Sequence, residues 1–152
     1  MGVMAKPKKL GTLKKEAWDS VSRVVRYAFA EDGIYCSCVT CGNPLKWDGG
    51  AQCGHWIPRA QGLGIYFELD NLAPQCYRCN INLGSNGPEY ARWMEENRGR
   101  GVMELLREKQ QKGNKFTKQD YIDMKKHYDS EFDRIHQLRM DGAQGILDVV
   151  PW

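Results

Sequence analysis

The sequence has no run of about 18 apolar residues, which is the length that a membrane-spanning helix requires. Its first residues lack the apolar stretch and cleavage site of a secretory signal, and Gly2 is not followed by the Ser or Thr that a myristoylation signal needs. No internal repeat or low-complexity tract is visible. At 152 residues the chain has the length of one domain. We therefore expect a single domain, residues 1–152, in the cytoplasm and away from membranes.

Six cysteines stand out against this ordinary composition. In a reducing cytoplasm they favour metal binding over disulfides. Four of them form two Cys-x-x-Cys pairs, Cys38 with Cys41 and Cys76 with Cys79. Two such pairs supply the four sulfurs of a tetrahedral structural zinc site. Cys36 leaves an alternative open, because it could replace Cys38 with a longer spacing, whereas Cys53 is interpreted as a small buried hydrophobe.

Positive charge is concentrated in two blocks, although the net charge is only +3. Residues 1–30 carry seven basic and two acidic side chains, and residues 98–118 carry seven and two again. Two basic blocks beside a metal module suit a polyanion such as DNA, although lysine-rich stretches are often only solvated surface. In the first block we predict DNA contacts for Lys8, Lys9, Lys14 and Lys15.

Helical patterns flank a segment rich in Gly, Pro and Asn. Residues 1–11 are interpreted as a basic arm, and apolar spacing predicts a helix over 12–30 with Thr12 as its N-cap. Residues 34–75 suit short strands and turns, and further helices are predicted over 88–97, 102–111 and 117–140. Thr117 is predicted to cap the last of these helices. The apolar stripe of the last helix, from Tyr121 to Leu138, is interpreted either as core against the N-terminal helix or as the surface of a homodimer.

One histidine, His55, lies between the two cysteine pairs. A lone histidine is usually structural, and here it could also replace a cysteine as a zinc ligand. If the four cysteines bind the zinc, however, His55 is free, and a neutral imidazole can take a proton from water at pH 7. His55 is therefore the leading candidate for catalysis.

The residues around His55 carry a family resemblance. Cys-x-x-Cys, Gly54-His55, Asp70-Asn71-Leu72 and Cys-x-x-Cys-Asn80 follow one another as in the HNH endonucleases. The fuller strings Cys-Gly-His-Trp-Ile-Pro-Arg and Asp-Asn-Leu-Ala-Pro-Gln-Cys-Tyr-Arg-Cys-Asn resemble the phage NinG (Rap) recombination nucleases, which act on branched DNA. The resemblance covers residues 35–92.

The resemblance implies a role for each matched residue. His55 would be the general base, Asn71 would orient it, and Asn80 would bind a catalytic Mg²⁺ or Mn²⁺. The family usually places an acidic metal ligand just before the histidine, where this chain has Gly54. The missing ligand could come from four other residues, among which the sequence does not choose: Gln52, Cys53, Asp48 and Asp70. Near the site, Arg59 and Arg78 would position the scissile phosphate, or would be ordinary surface charge.

Together these patterns predict an α+β protein. A treble-clef zinc core with a ββα-metal (HNH) motif would occupy residues 35–92, between an N-terminal helix and a helical extension over 93–152. The expected function is metal-dependent hydrolysis of DNA phosphodiesters, with a preference for branched or Holliday-junction DNA in phage recombination. The alternatives are a non-catalytic zinc module that binds nucleic acid, and an interaction protein that recruits a partner through its long helix.

Overall fold

The computed structural model describes residues 2–152, and this part of the chain has a mixed α+β architecture with small sheets. Its α-helices are α1 (Leu10–Ala28), α2 (Leu63–Tyr66), α3 (Gly87–Asn97), α4 (Arg100–Lys112) and α5 (Lys118–Met140). Its strands are β1 (Tyr35–Ser37), β2 (Pro44–Lys46), β3 (Gln52–His55) and β4 (Leu72–Gln75). Single helical turns lie at Arg59–Gln61, Leu69–Asn71 and Arg78–Asn82, the last of them a π-helical turn. None of the helices in residues 2–152 has the length and apolar character that crossing a membrane requires.

Helices α1 and α5 pack along each other and form the main apolar core. Val21 and Val24 of α1 are fully buried in one cluster with Met124 and Ile135 of α5. Apolar side chains at helical spacing place one face of each helix against the other, which removes both faces from water. The stripe of α5 is therefore core within this chain, and it no longer supports the prediction of a homodimer.

The start of α1 differs from the sequence-based expectation. The helix begins at Leu10, with Lys9 as its N-cap, so Thr12 lies inside the first turn and the basic arm ends earlier than residue 11. Lys9 makes no side-chain cap, and the ion pair between Lys8 and Glu16 lies beside this end of the helix. Residues 10–12 are exposed, so this first turn extends beyond the buried face of α1, which begins at Leu13.

The start of α5 matches the expectation. The side chain of Thr117 accepts a hydrogen bond from the backbone N–H of Asp120 at 3.1 Å, and the carboxylate of Asp120 accepts one from the backbone N–H of Thr117 at 2.7 Å. This reciprocal capping box confirms Thr117 as the N-cap. Elsewhere, α4 is longer than predicted at both ends, and α3 crosses the expected boundary between residues 92 and 93.

Two antiparallel strand pairs carry the residues between the flanking helices. β1 pairs with β2, and the first cysteine pair lies in the connection between them. β3 pairs with β4, so that Gln52 lies opposite Gln75 and His55 opposite Leu72. The π-helical turn follows β4 after two residues. This order brings the start of β3, at Gln52, close to the residues that follow β4.

A second apolar cluster supports β3 from the side of α3 and α4. It contains Ile65, Tyr90, Met94 and Leu106, all nearly inaccessible to water. The hydroxyl of Tyr90 donates a hydrogen bond to the backbone oxygen of Gly54 at 2.9 Å. The helical extension thereby holds the backbone of β3 immediately before His55.

Candidate active site and metal centre

The four cysteines of the two Cys-x-x-Cys pairs converge on one point. Their Sγ atoms all lie within 4.8 Å of one another, and those of Cys41 and Cys76 are 3.8 Å apart. Two sulfurs bound tetrahedrally to one zinc ion at about 2.3 Å are separated by about this distance. Cys36 is buried in β1 and is not part of the cluster, so Cys38 belongs to the ligand set. The donor set fits a structural zinc ion.

Hydrogen bonds connect this cysteine cluster to β4. The amide of Gln75 donates to the Oγ1 atom of Thr40 at 3.1 Å, and Thr40 Oγ1 lies 3.3 Å from Cys38 Sγ. The hydroxyl proton of Thr40 is thus available to the sulfur. Burial disfavours the thiolate of Cys38, but hydrogen bonds from Thr40 and the backbone outweigh it and lower its pKa to about 6. These contacts orient a metal ligand and favour its ionised form.

A cavity of about 570 Å³ opens between α1, β3 and the π-helical turn. His55 and Asn80, two of the predicted catalytic residues, both line it, and Gln52 lies beside them. Arg26 and Arg59 add positive charge to its wall. Among the lining residues, all of which lie in the described part of the chain, there is no Asp or Glu. The cavity therefore suits an anionic group such as a phosphate.

His55 is the last residue of β3, and its side chain is fixed by one backbone carbonyl. Its Nε2 atom lies 2.9 Å from the oxygen of Tyr66. Because a carbonyl oxygen only accepts, Nε2 carries the proton and Nδ1 keeps its lone pair in the neutral ring. Burial and, to a smaller extent, the nearby charge of Arg59 lower the pKa of His55 to about 4, although the hydrogen bond to Tyr66 acts in the opposite direction. At pH 7 this imidazole is neutral and can accept a proton.

Asn71 supports the backbone around His55 and has no side-chain hydrogen bond to the imidazole within residues 2–152. Its side-chain oxygen, Oδ1, accepts a hydrogen bond from the backbone N–H of Ile57 at 2.8 Å. Its side-chain amide nitrogen, Nδ2, donates to the backbone oxygens of Ile57 and Ile65. Its own backbone oxygen accepts from Trp56. Asn71 therefore ties together the chain on both sides of the site. The part it plays in orienting His55 stays a prediction.

Asn80 lies in the π-helical turn and is paired with a residue of β3. Its amide donates to the Oε1 atom of Gln52 at 2.8 Å. The other three candidates for the missing ligand are placed less well. Asp48 is exposed and does not line the cavity, and Asp70 lines a different one. Cys53 lines the cavity but is buried among apolar side chains, which raises the pKa of its thiol to about 12. The oxygen atoms of Asn80 and Gln52 are of the kind that Mg²⁺ and Mn²⁺ prefer.

The predicted DNA-contacting residues lie in different surroundings. Arg59 lines the cavity, whereas Arg78 is exposed and is not among the lining residues. Lys15 forms an ion pair with Asp19, and the ammonium of Lys14 lies 4.4 Å from the ring centroid of Tyr66. Ion pairing of Lys8 and Lys15 with carboxylates thus reduces the positive field that the arm presents.

Several positive side chains of the second basic block, residues 98–118, already make contacts within the protein. The guanidinium of Arg98 is partly buried and donates to the backbone oxygens of Asp70 and Leu72. Arg100 and Lys109 are ion-paired with Glu95 and Glu68. Arg98 therefore supports the fold, and the other charges of residues 98–118 remain candidates for phosphate contacts.

Sequence reasoning missed two residues of the site. Trp18 of α1 lines the cavity and covers one face of the His55 ring, and Tyr66 of α2 supplies the carbonyl that fixes the ring. Trp18 belongs to the apolar stripe of α1, so the sequence suggests only a core residue and gives no sign that it also contacts His55. A backbone carbonyl gives no residue-type signal at all.

Comparison with protein families shows which family this chain resembles over most of its length. A family model described as Bacteriophage Lambda NinG protein matches residues 4–138, which is most of the chain. Comparison with curated proteins and with solved structures gives no match. The matched segment includes α1, both strand pairs and nearly all of α5.

Proposed function

Because this chain belongs to the bacteriophage lambda NinG family, we propose that it is a metal-dependent endonuclease that hydrolyses DNA phosphodiesters in phage recombination, with a preference for branched DNA such as the Holliday junction. One observation carries the proposal. A neutral histidine, His55, is held by a backbone carbonyl in a cavity that it shares with Asn80 and Arg59. The arrangement offers a base, an oxygen donor and a cation for one phosphate.

His55 acts as the general base in this proposal. Its Nδ1 atom takes a proton from the attacking water, and the hydrogen bond from Nε2 to Tyr66 holds the ring in one orientation. A base whose pKa is about 4 in the free protein is weak at pH 7. The negative charge of bound DNA raises the pKa of His55, which brings it closer to the value at which proton transfer is efficient.

Arg59 binds the scissile phosphate in this proposal, because it lines the same cavity as the base. Asn80 contributes an oxygen atom toward a catalytic divalent cation. Such a cation, when bound, supplies positive charge that stabilises the transition state and the departing 3′ oxygen. The thiolates of Cys38, Cys41, Cys76 and Cys79 hold a structural zinc that fixes β4 and the π-helical turn.

A cleavage assay tests the function. The protein is incubated with four-way-junction, linear duplex and single-stranded DNA, each with and without Mg²⁺. We expect cleavage only with Mg²⁺ and fastest on the junction. His55→Ala should reduce the rate about 10²–10⁴-fold, whereas the exposed His136→Ala should retain it. Cleavage by His55→Ala at the wild-type rate would reject His55 as the base.

A second candidate is a zinc module that binds nucleic acid without cleaving it. The observation in its favour is that the cavity has no carboxylate among its lining residues and that Gly54 replaces the acidic residue expected there. Salt-dependent DNA binding without cleavage in Mg²⁺ or Mn²⁺ would select this candidate.

A further inference from the structure

A smaller cavity of about 290 Å³ adjoins the candidate active site, and we name it the α4 cavity. Six residues from α4 and from the segment after β3 line it: Trp56, Ile57, Pro58, Gln61, Arg107 and Gln110. Pro58 lines both cavities, and the next residue, Arg59, lines the active-site cavity. A DNA strand whose phosphate is bound at Arg59 can therefore continue directly into the α4 cavity.

One wall of the α4 cavity is a guanidinium held over an indole. The Cζ atom of Arg107 lies 5.3 Å from the ring centroid of Trp56, which is itself buried. Arg100 and Lys109 of the same helix are ion-paired, but Arg107 has no carboxylate partner in the described part of the chain. A guanidinium is planar, so one that lies over an aromatic ring keeps its outer face for a second planar group. Unstacked nucleobases are commonly bound on such Arg planes.

Two amide side chains of the α4 cavity provide hydrogen-bonding groups. The Nε2 atom of Gln110 donates a hydrogen bond to the Oε1 atom of Gln61 at 3.2 Å. This contact leaves the Nε2 atom of Gln61 as a donor and the Oε1 atom of Gln110 as an acceptor. A donor beside an acceptor is the pattern that pairs with the edge of a nucleobase. None of the six lining residues is acidic, so nothing in the wall repels the phosphates of the same strand.

Close packing of α4 on α2 fixes the two sides of the α4 cavity relative to each other. A Cβ atom at Gly64 of α2 would lie only 3.0 Å from the backbone carbonyl carbon of Lys109 and closer still to its oxygen. Only a residue without a side chain permits this approach. Lys109 lies between Arg107 and Gln110 along α4, so the positions of both cavity residues are set by packing of the backbone.

We infer that the α4 cavity binds one unstacked nucleobase of the DNA, next to the phosphate in the active-site cavity. The inference rests on the proposed function, because that function identifies the ligand as DNA. A base must leave the stack to enter a protein pocket, and this costs least where the base is unpaired or mismatched. At a branch point the stack is interrupted, so a base is released there at lower cost than in a continuous duplex. The α4 cavity therefore favours branched DNA.

Binding of two matched DNAs tests the inference without turnover. Both are the same duplex with one bulged nucleotide, which carries an adenine in the first DNA and no base in the second. Because their phosphates are identical, the ratio of the two Kd values measures recognition of the base alone. Fluorescence anisotropy with the zinc-loaded His55→Ala protein gives both values. We expect the DNA with the base to bind at least about fivefold more tightly, the lower end for one stacked base.

Arg107→Lys separates stacking from charge. Lysine keeps the positive charge but lacks the planar guanidinium, so the ratio of the two Kd values should fall to about one while affinity for the DNA without the base is retained. Arg92→Lys makes the same exchange at an exposed position of α3 outside both cavities and should keep the ratio of the parent. Circular dichroism and zinc content verify that each variant is folded.

Two results would overturn the inference. One is equal affinity of the parent for the two DNAs, and the other is an Arg107→Lys protein that keeps the ratio of the parent. If wild-type protein cleaved the four-way junction while either result was found, only this inference would fail. If wild-type protein cleaved no DNA but bound the base through Arg107, the nuclease function would fail while the inference stood.

Discussion

The indole of Trp18 stacks on the imidazole of His55, with ring centroids 4.8 Å apart and an angle of 23° between the ring planes. Trp18 lies in α1, outside the segment that contains the cysteine pairs. The N-terminal helix therefore completes the site, because it covers one face of the residue proposed as the base. This contact also contributes to the burial that keeps His55 neutral.

Trp18→Ala should raise the pKa of His55 from about 4 toward the 6.5 of an unperturbed histidine, since water would then reach the ring. Titration by nuclear magnetic resonance in DNA-free protein measures this shift. Trp152→Ala removes an aromatic ring that packs against Phe116 and serves as the control. An unchanged pKa of His55 in Trp18→Ala would show that other residues provide its burial.

The depressed pKa of His55 also predicts how stability depends on pH. Between about pH 4 and 6.5 the unfolded chain binds a proton at this histidine and the folded chain does not. The contribution of His55 to the free energy of unfolding therefore falls as pH decreases through this window. Denaturant unfolding at several pH values should show a smaller pH dependence for His55→Gln than for wild type.

Loss of one zinc ligand should abolish the fold of the cysteine-containing region. Cys41→Ser and Cys76→Ser each leave three sulfurs, and bound zinc stabilises small domains by on the order of 10 kcal/mol. We expect insoluble or protease-sensitive protein. Cys36→Ser changes a buried cysteine outside the cluster and should keep the zinc. Elemental analysis that finds well-folded protein without zinc would contradict the assignment.

Gly54 and Gln75 should be energetically coupled. Gly54→Ala forces its Cβ into the amide of Gln75 and should lower the free energy of unfolding by about 1–3 kcal/mol. In a Gln75→Ala background the same change should cost much less, because the obstructing side chain is gone. Urea unfolding of the four proteins gives the coupling energy. Additive effects would mean that the two side chains do not compete for this volume.

The four lysines near the N-terminus should contribute unequally to DNA binding. Lys9→Gln/Lys14→Gln should weaken binding to all sequences and reduce the salt dependence by about one for each lost phosphate contact. Lys8→Gln/Lys15→Gln should have a smaller effect, because these two side chains are already paired with Glu16 and Asp19. Fluorescence anisotropy at several salt concentrations measures both slopes, and equal slopes for the two variants would contradict this ranking.

Several features could be predicted from the sequence because they depend on residues close together in the chain. The two Cys-x-x-Cys pairs identified the cluster of sulfurs, since a two-residue gap suffices to turn both sulfurs toward one ion. Thr117 identified the start of α5 because a capping box involves residues only three positions apart. The family resemblance could also be seen in the sequence, because its motifs follow one another along the chain, and the family model over residues 4–138 agrees with it.

The tertiary structure decided the contacts between distant parts of the chain. Of the four candidates for the missing ligand, it placed Gln52 within hydrogen-bonding distance of Asn80. It also placed the backbone carbonyl of Tyr66 beside His55 Nε2 and stacked the indole of Trp18 on the imidazole. It also buried the stripe of α5 against α1, which the sequence left open between core and dimer surface. Residue type and spacing determine which chemistry a segment can support. Which groups meet depends on how strands and helices pack, and that is set by burial of apolar surface across the whole chain.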